Sequence, residues 1–540
     1  MSLLIVLPIL VPLLGAGGAF GLSRSSHTRR VARVFALLAA GLTLLVALAS
    51  RWFPSSVVVP SRWQPDALFG TVLAYQVTPG IQPLALVMAL VTFSALLLAC
   101  LRKEEAATTG AAALGMLAAG VASLWAANVA TLTIGWAIYD IVRAIGRLRA
   151  GGSTRGTVQG LVLSSLATAL LWGGALLSQG RALTQVWSTM GFSEAHLTLW
   201  TIAGVLRLAL YPVHLSAPDE FSSRVPAAVS LFMGLLVGWG FWIRVVAVNG
   251  GAMPRLAWLP GVAAVSIVIG SFLSWTSENP RRALPWAGMS MAGATLLAAY
   301  VTGSAATAVI LAGGVTWALA AGALSLGIGL GSQEAPWWRI PSWIGALALA
   351  GLPLTLGFVV QASLLEGVMR GGQMGWGSAF VLGQAFLIPS LARVAFLQPA
   401  DTPIPRRWQD YLAYGVALGL PTLLLVVPAL HPPAFFRGVD APSFGWLLAA
   451  PGLGGWLLWI VALVVAGVLT WQERNLRSRV GFLLSAAHDL LRLDWLYATL
   501  AGAADRGLGV LRAADDLVGG AGALLWSLLL FLILLLIWMT

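Results

Sequence analysis

The sequence predicts an all-α polytopic membrane protein of about sixteen transmembrane helices, built from two inverted five-helix repeats with broken helices 7 and 12. Three observations carry this. Apolar residues make up 59% of the 540-residue chain and charged residues only 9%, and the mean hydropathy is +0.88. Apolar runs of about 20 residues, enough to cross a bilayer, recur from end to end. Two of these runs carry a proline break after similar residues, Ile202 to Tyr211-Pro212 and Ile344 to Leu352-Pro353. Paired broken helices five segments apart point to a transporter-type inverted repeat with its pathway at the breaks.

In order, the segments fall near 2–23, 31–50, 80–101, 106–126, 127–147, 157–179, 196–215, 225–249, 256–276, 282–301, 304–331, 338–361, 376–397, 409–430, 451–471 and 520–539. The first lacks a basic start and a cleavage site, so it reads as a retained helix and not a signal peptide. Residues 1–471 then form a transmembrane domain of about fifteen helices, 472–519 an amphipathic lateral segment, and 520–540 a C-terminal transmembrane anchor. In 472–519, arginines and aspartates alternate with leucine, alanine and valine, the pattern of a helix lying along a membrane or a partner. A long cytoplasmic loop with helical turns is the alternative.

The net charge of +12 and a pI near 11.0 would suggest nucleic acid in a soluble protein. Here the arginines sit in alternate loops. Arg24, Arg29, Arg30, Arg33, Arg102, Lys103, Arg147, Arg149, Arg155, Arg281, Arg282, Arg339, Arg406 and Arg407 share one side. The positive-inside rule makes that side cytoplasmic, excludes nucleic acid as a partner, and places both termini outside the inner (cytoplasmic) membrane. Cys100 is the only cysteine and the five histidines show no ligand spacing, so no metal or other cofactor is expected in this chain. Lys103 is the only lysine against 30 arginines, and arginine does not release its proton.

Charge inside the apolar segments marks the candidate site. Arg207 lies alone in the charge-free stretch 198–211, five residues before Pro212. A cation at membrane depth is costly and is functional or paired. Asp140 is a candidate partner, with a static packing pair and a solvated Asp140 near Arg143 as the alternatives. Gln361, Gln384 and Arg393 either line a second half-path or hydrogen-bond between helices. His214 either relays protons or caps carbonyls freed by Pro212.

The segment Pro212-Val213-His214-Leu215-Ser216-Ala217-Pro218-Asp219 resembles the Pro-Leu-His-x-Trp-Leu-Pro-Asp motif of the antiporter-like membrane subunits of respiratory complex I. Those subunits are related to multisubunit cation/proton antiporters. Gly135-Trp136 resembles the family's Gly-Trp-Glu, Arg281-Arg282-Ala283-Leu284 its Lys-Arg-Val-Leu, and Gly345 to Pro353 with Gly357-Phe358 its broken helix 12. The tail, with Leu493-Asp494-Trp495-Leu496-Tyr497 and Asp505-Arg506-Gly507, most resembles the largest such subunit, which ends in a lateral helix and a sixteenth transmembrane helix.

The resemblance implies a proton-translocation subunit with no redox centre, partnered by other membrane subunits of a multisubunit complex partly through 472–519, and by the lipid bilayer. It also implies buried lysines, a glutamate and histidines that are largely replaced here. Ala137 stands at the glutamate position and Arg207 at the first lysine position. Ser230 lies near a histidine position, Trp317 near the second lysine, and Gln361 and Ala362 at the third lysine and its acid. Trp317 would plug a channel. The replacements set a non-conducting brace beside a conducting subunit of an oxidoreductase-like (translocase) complex, and the membrane subunit of an inorganic-carbon uptake complex as a third reading. A membrane enzyme would need an acid cluster in the outer stretch 51–79, where Asp66 stands alone.

Overall fold

A computed structural model describes the chain apart from residues 1, 26, 54, 56, 62–72, 103–106, 150, 152, 178–184, 188–189, 191–193, 215–223, 328–335, 397–406, 520–526, 529 and 534–540, and the side chains of a few helical residues that include 224–231 and 280–281. The chain falls into two units, Met1–Leu476 and Arg477–Thr540.

Among the described residues, the regular elements of the first unit are helices and one short strand pair. It opens with α1 (Leu7–Ser23), α2 (Arg29–Ala49), α3 (Gln82–Arg102), α4 (Ala107–Trp125), α5 (Val129–Arg149) and α6 (Thr154–Leu177). Then follow α7 (Glu194–Arg207), α8 (Arg224–Val248), α9 (Leu259–Thr276), α10 (Pro280–Thr302) and α11 (Ala306–Gly327). The series continues with α12 (Ile340–Leu349), α13 (Gly357–Gly371), α14 (Met374–Ala395), α15 (Trp408–Leu430), α16 (Pro432–Phe435), α17 (Phe444–Ala449) and the start of α18 (Gly452–Arg492), whose residues from Arg477 on, with non-helical backbone at Val480, belong to the second unit.

Among the described residues, eleven stretches are long and apolar enough to span a membrane. One of them, Arg282–Gly327, runs through α10 and α11 together. The expected segments 7 and 12 fall short because they are broken helices, and segment 8 appears as the shorter apolar stretch Phe232–Val248.

Side-chain placement shows which solvent surrounds the bundle. In α2 the small residues Ala32, Ala36, Ala40 and Ala47 face inward, whereas Val31, Phe35, Leu38, Leu42 and Leu45 face out. Water would favour the reverse; hydrocarbon leaves large apolar groups outside and small ones where helices touch. At the centre, α11 is apolar on every side and almost wholly buried, as a helix surrounded by other helices must be. Trp317 on α11 is 1% exposed and rests on Gly288 of α10, where a Cβ would come within 2.7 Å of its ring.

The connection between α4 and α5 is only three residues long. It is held by β1 (Val58–Ser61) and β2 (Leu73–Tyr75), an antiparallel pair whose Tyr75 bridges to Ala126. Asn128 caps α5, its Oδ1 accepting from the Thr131 amide at 2.8 Å.

The two breaks are local copies of each other. After α7, the amides of Leu208, Ala209 and Leu210 donate to the carbonyls of Gly204, Leu206 and Val205. After α12, the amides of Ala350, Gly351 and Leu352 donate to Ala346, Ala348 and Leu347. Each is a Schellman ending, with a left-handed residue at φ 51° (Ala209) or 69° (Gly351). The orphan carbonyls at each break are thus satisfied largely by backbone.

The second unit contains α19 (Asp494–Gly519), whose described side chains are mostly exposed. Leu493, at φ 59°, precedes it, and Arg492 Nη2 pairs with Asp494 Oδ2 at 2.7 Å. Most of the expected anchor 520–540 lies outside the described residues.

Candidate functional site

The site forms where α5, α7 and α8 meet, and small residues allow the approach. Gly135 lets α5 close on α4: a Cβ there would lie 2.6 Å from Ser123 Oγ and 3.2 Å from Ser123 N. Gly234 and Gly238 are one turn apart on α8. A Cβ at Gly238 would lie 2.7 Å from Leu208 Cδ2 and 3.5 Å from Arg207 Cγ, and one at Gly234 would lie 3.6 Å from Arg143 Nη1 and 3.7 Å from Tyr139 Oη. These glycines make the groove that admits the charged side chains.

Arg207 and Asp140 form a buried ion pair. Arg207 Nη1 donates to Asp140 Oδ1 at 2.9 Å and Oδ2 at 2.7 Å, with the two side chains 3% and 4% exposed. The guanidinium lies over Trp136, 4.6 Å from the ring centroid, and 5.5 Å from that of Tyr139. Trp136 is itself wedged edge-on against Phe241, 5.3 Å away. Three favourable terms therefore converge on one cation: a carboxylate, an aromatic face, and the negative end of α7, whose last residue is Arg207. Ala137 is lost as an acid, and Asp140, one turn further along the same face of α5, supplies the negative charge.

His214 is 1% exposed and sits beside the break. It stacks on Tyr211 at 5.5 Å and tilts against Trp286 of α10 at 5.1 Å. Ser266 of α9 accepts from the Tyr211 amide at 3.0 Å and pins the chain just before Pro212. Pro218 and Asp219 lie outside the described residues, as do the side chains of Ser230 and Arg281. Arg282 is exposed.

The second half carries different chemistry. Leu349 occupies at the α12 break the place of Arg207 at the α7 break. Pro353 and Leu354 follow before α13 begins. Gln361 is 1% exposed and lies against Gly351, whose missing Cβ leaves room for it. Among the described residues, Gln361 Oε1 and Gln384 Oε1 have no hydrogen-bond partner.

Arg393 stands apart from the ion pair. Its Nη2 donates to the carbonyls of Trp275 (3.0 Å) and Ser277 (2.7 Å), and its Nη1 to Glu473 Oε1 at 3.1 Å. It closes the C-terminal end of α9, where carbonyls lack helical partners. Arg244 and Glu366 are buried charges that the reading of the sequence misses. Arg244, 5% exposed, donates to the Gly240 and Leu124 carbonyls and lies over Trp187. Glu366, 4% exposed, pairs with Arg370 at 2.8 Å. Arg244 carries the same signal as Arg207, a cation inside an apolar run. Glu366 falls beyond the expected end of segment 12, because the break carries α13 on to Gly371.

The fold is that of an all-α integral membrane protein. The chain superposes on a chain of the membrane-bound sulfane sulfur reductase, an archaeal respiratory membrane complex, with a TM-score of 0.73 and 16% identity over 99% of this chain and 100% of that one. It matches a chain of the Mrp complex from Dietzia sp. DQ12-45-1b at 0.73 and 17% identity, over 97% of this chain and 62% of that one. A chain of respiratory complex I from Thermus thermophilus matches at 0.65 and 18% identity, over 86% and 99%. At such identities these likenesses define the fold.

In sequence, the chain is 25% identical over 318 residues to "NADH-quinone oxidoreductase subunit N" of Xanthomonas euvesicatoria pv. vesicatoria (strain 85-10), covering 52% of this chain and 64% of that protein. The chain thus spans somewhat less than two thirds of that relative. The match falls on a subunit N, and not on the largest subunit that the tail suggests. No protein-family model matches the chain.

Proposed function

We propose that this chain is an antiporter-like membrane subunit of a complex I-like, proton-translocating assembly in the cytoplasmic membrane, and that its own contribution is structural, with no proton passing through the Asp140–Arg207 pair. The carrying observation is the Asp140–Arg207 pair, with both carboxylate oxygens on Nη1 and both side chains buried. Where the family resemblance implies a lysine that exchanges its proton, arginine holds a permanent charge. Leu349, Trp317 and Gln361 hold the corresponding places in the second half without any titratable group. The segment 472–519 would lie along neighbouring subunits and tie the assembly together.

The test uses the assembled complex in vesicles with a pH-sensitive dye. Asp140→Leu combined with Arg207→Met removes both charges at similar volume. The proposal expects proton movement to stay within about twofold of wild type, and deletion after Trp471 to release the subunit from the complex. A tenfold or greater loss of proton movement in a double variant that assembles normally would overturn it.

That outcome would favour a second reading, proton passage through this chain. One observation speaks for it: the buried Oε1 atoms of Gln361 and Gln384 and the Thr316 and Ser363 hydroxyls have no hydrogen-bond partner among the described residues. Buried polar groups ordinarily bond to protein or water. Gln361→Leu with Gln384→Leu addresses it directly, and unchanged proton movement in that variant counts against passage.

A further inference from the structure

A column of rings ties the α4–α5 corner to the buried ion pair. Trp187, between α6 and α7, is buried, and both of its donors are committed to that corner. Its amide donates to the Ala127 carbonyl at 3.1 Å and its Nε1 to the Ala126 carbonyl at 3.1 Å. The corner is itself held by the stretch around β2. The Ala127 amide donates to the Ala74 carbonyl and the Gln76 amide to the Trp125 carbonyl, each at 2.8 Å. Arg244 of α8 clasps the same place, donating to the Leu124 carbonyl, and its guanidinium lies 5.8 Å from the Trp187 ring centroid.

From this fixed end the contacts run inward. Trp187 meets Phe241 edge-on at 6.4 Å, Phe241 meets Trp136 edge-on at 5.3 Å, and the Arg207 guanidinium lies 4.6 Å from Trp136. Phe241 and Trp136 are fully buried. The inner end lacks the hydrogen bonds of the outer one. Among the described residues, Trp136 Nε1 has no hydrogen-bond partner, and neither do Arg207 Nε and Nη2. Trp136 is therefore held by packing and by the cation above it. Arg207 is held by Nη1 on Asp140 and by the Trp136 and Tyr139 rings. Of the two indoles in the column, Trp187 is pinned by hydrogen bonds and Trp136 is not. A close-packed interior transmits such placement, because a ring that is removed leaves a void into which its neighbours shift.

We propose that Trp187 is a positioning residue for the Asp140–Arg207 pair. It fixes Phe241 and, through it, Trp136, and so keeps the Arg207 guanidinium on the carboxylate. A displacement of the α4–α5 corner thereby reaches the buried pair. This role needs only the ion pair, and it holds whether or not protons pass through the chain.

The test uses the full chain in lipid vesicles and a hydrophobic carbodiimide, with modification of Asp140 read by peptide mass spectrometry. The reagent adds to a protonated carboxyl group, the form a buried aspartate takes once its cation is gone, and spares a paired carboxylate. Arg207→Met sets the upper limit of labelling. Trp187→Leu and Phe241→Leu are expected to raise labelling about tenfold over wild type, the scale of one desolvated cation–π contact. Gly351→Ala, which loosens the other break, is expected to leave Asp140 labelling unchanged, whereas a general loss of stability would raise it in every variant. Wild-type labelling in a folded Trp187→Leu, an equal rise in Gly351→Ala, or labelling of the wild-type chain as full as that of Arg207→Met would overturn the proposal. If Trp187→Leu does not fold, Phe241→Leu decides on the same outcomes.

Discussion

Arg207 and Asp140 show how a buried charge is made tolerable. Removing one member of a buried pair leaves the other uncompensated and costs about 3–5 kcal/mol, whereas replacing both with apolar groups of similar volume is neutral or stabilising. Arg207→Ala should therefore lower the Tm in detergent far more than the Asp140→Leu/Arg207→Met double variant, which should melt at or above the wild-type temperature. Equal destabilisation by the two would mean that the pair does not carry the site. Gly238 offers a second residue-scale test. A side chain there meets Leu208 and the Arg207 stem, so Gly238→Val should cost about 1–3 kcal/mol by overpacking, read from the same melting curves. Residue identity alone points to Arg207, because a lone cation in an apolar run is visible in one dimension. The partner is not visible in the same way, since Asp140 lies 67 residues away and only helix packing decides which acid meets it.

At the scale of elements, the two breaks share one hydrogen-bonding scheme but differ at the left-handed residue. Ala209 carries a Cβ at φ 51°, where glycine is favoured, and Gly351 does not. Ala209→Gly should stabilise the protein by about 1 kcal/mol, the usual cost of a non-glycine residue in that region. Gly351→Ala should destabilise it by more than that amount, because the new Cβ also runs into Gln361. Paired thermal melts check both signs at once. Asn128→Ala should cost about 1 kcal/mol through the lost cap of α5. The existence of both breaks is legible from proline and the repeated Ile202 and Ile344 stretches. Their exact ends are not, because a Schellman turn closes each helix before its proline, and α13 then runs past the expected boundary to Gly371.

Over the whole molecule, Arg393 links three elements. It joins α14 to the end of α9 through the Trp275 and Ser277 carbonyls and to α18 through Glu473. Read along the sequence, it is a charge near the end of an apolar segment and a candidate for a proton path. In the fold it bonds the carbonyls at the end of α9 and the Glu473 carboxylate. Glu473→Gln should raise protease sensitivity around residue 473 in the isolated chain without changing the Tm by more than about 2 °C, since a partly exposed ion pair contributes at most about 1 kcal/mol. A large loss of stability would mean that Arg393 serves the core of the bundle and not α18.

Membrane class, approximate spans and the resemblance to antiporter-like subunits follow from the sequence by itself. Hydropathy is a property of neighbours along the chain, and the His214 and Pro353 motifs lie within short continuous stretches. Only the tertiary structure decides what the polar residues do. It brings Arg207 onto Asp140 and Trp136, sets Arg393 on the end of α9, turns Arg244 toward Leu124, and packs Arg143 and Arg147 between α5 and α6. The reason is physical: in hydrocarbon a charge is stable only where a partner meets it, and that partner is usually supplied by a different helix.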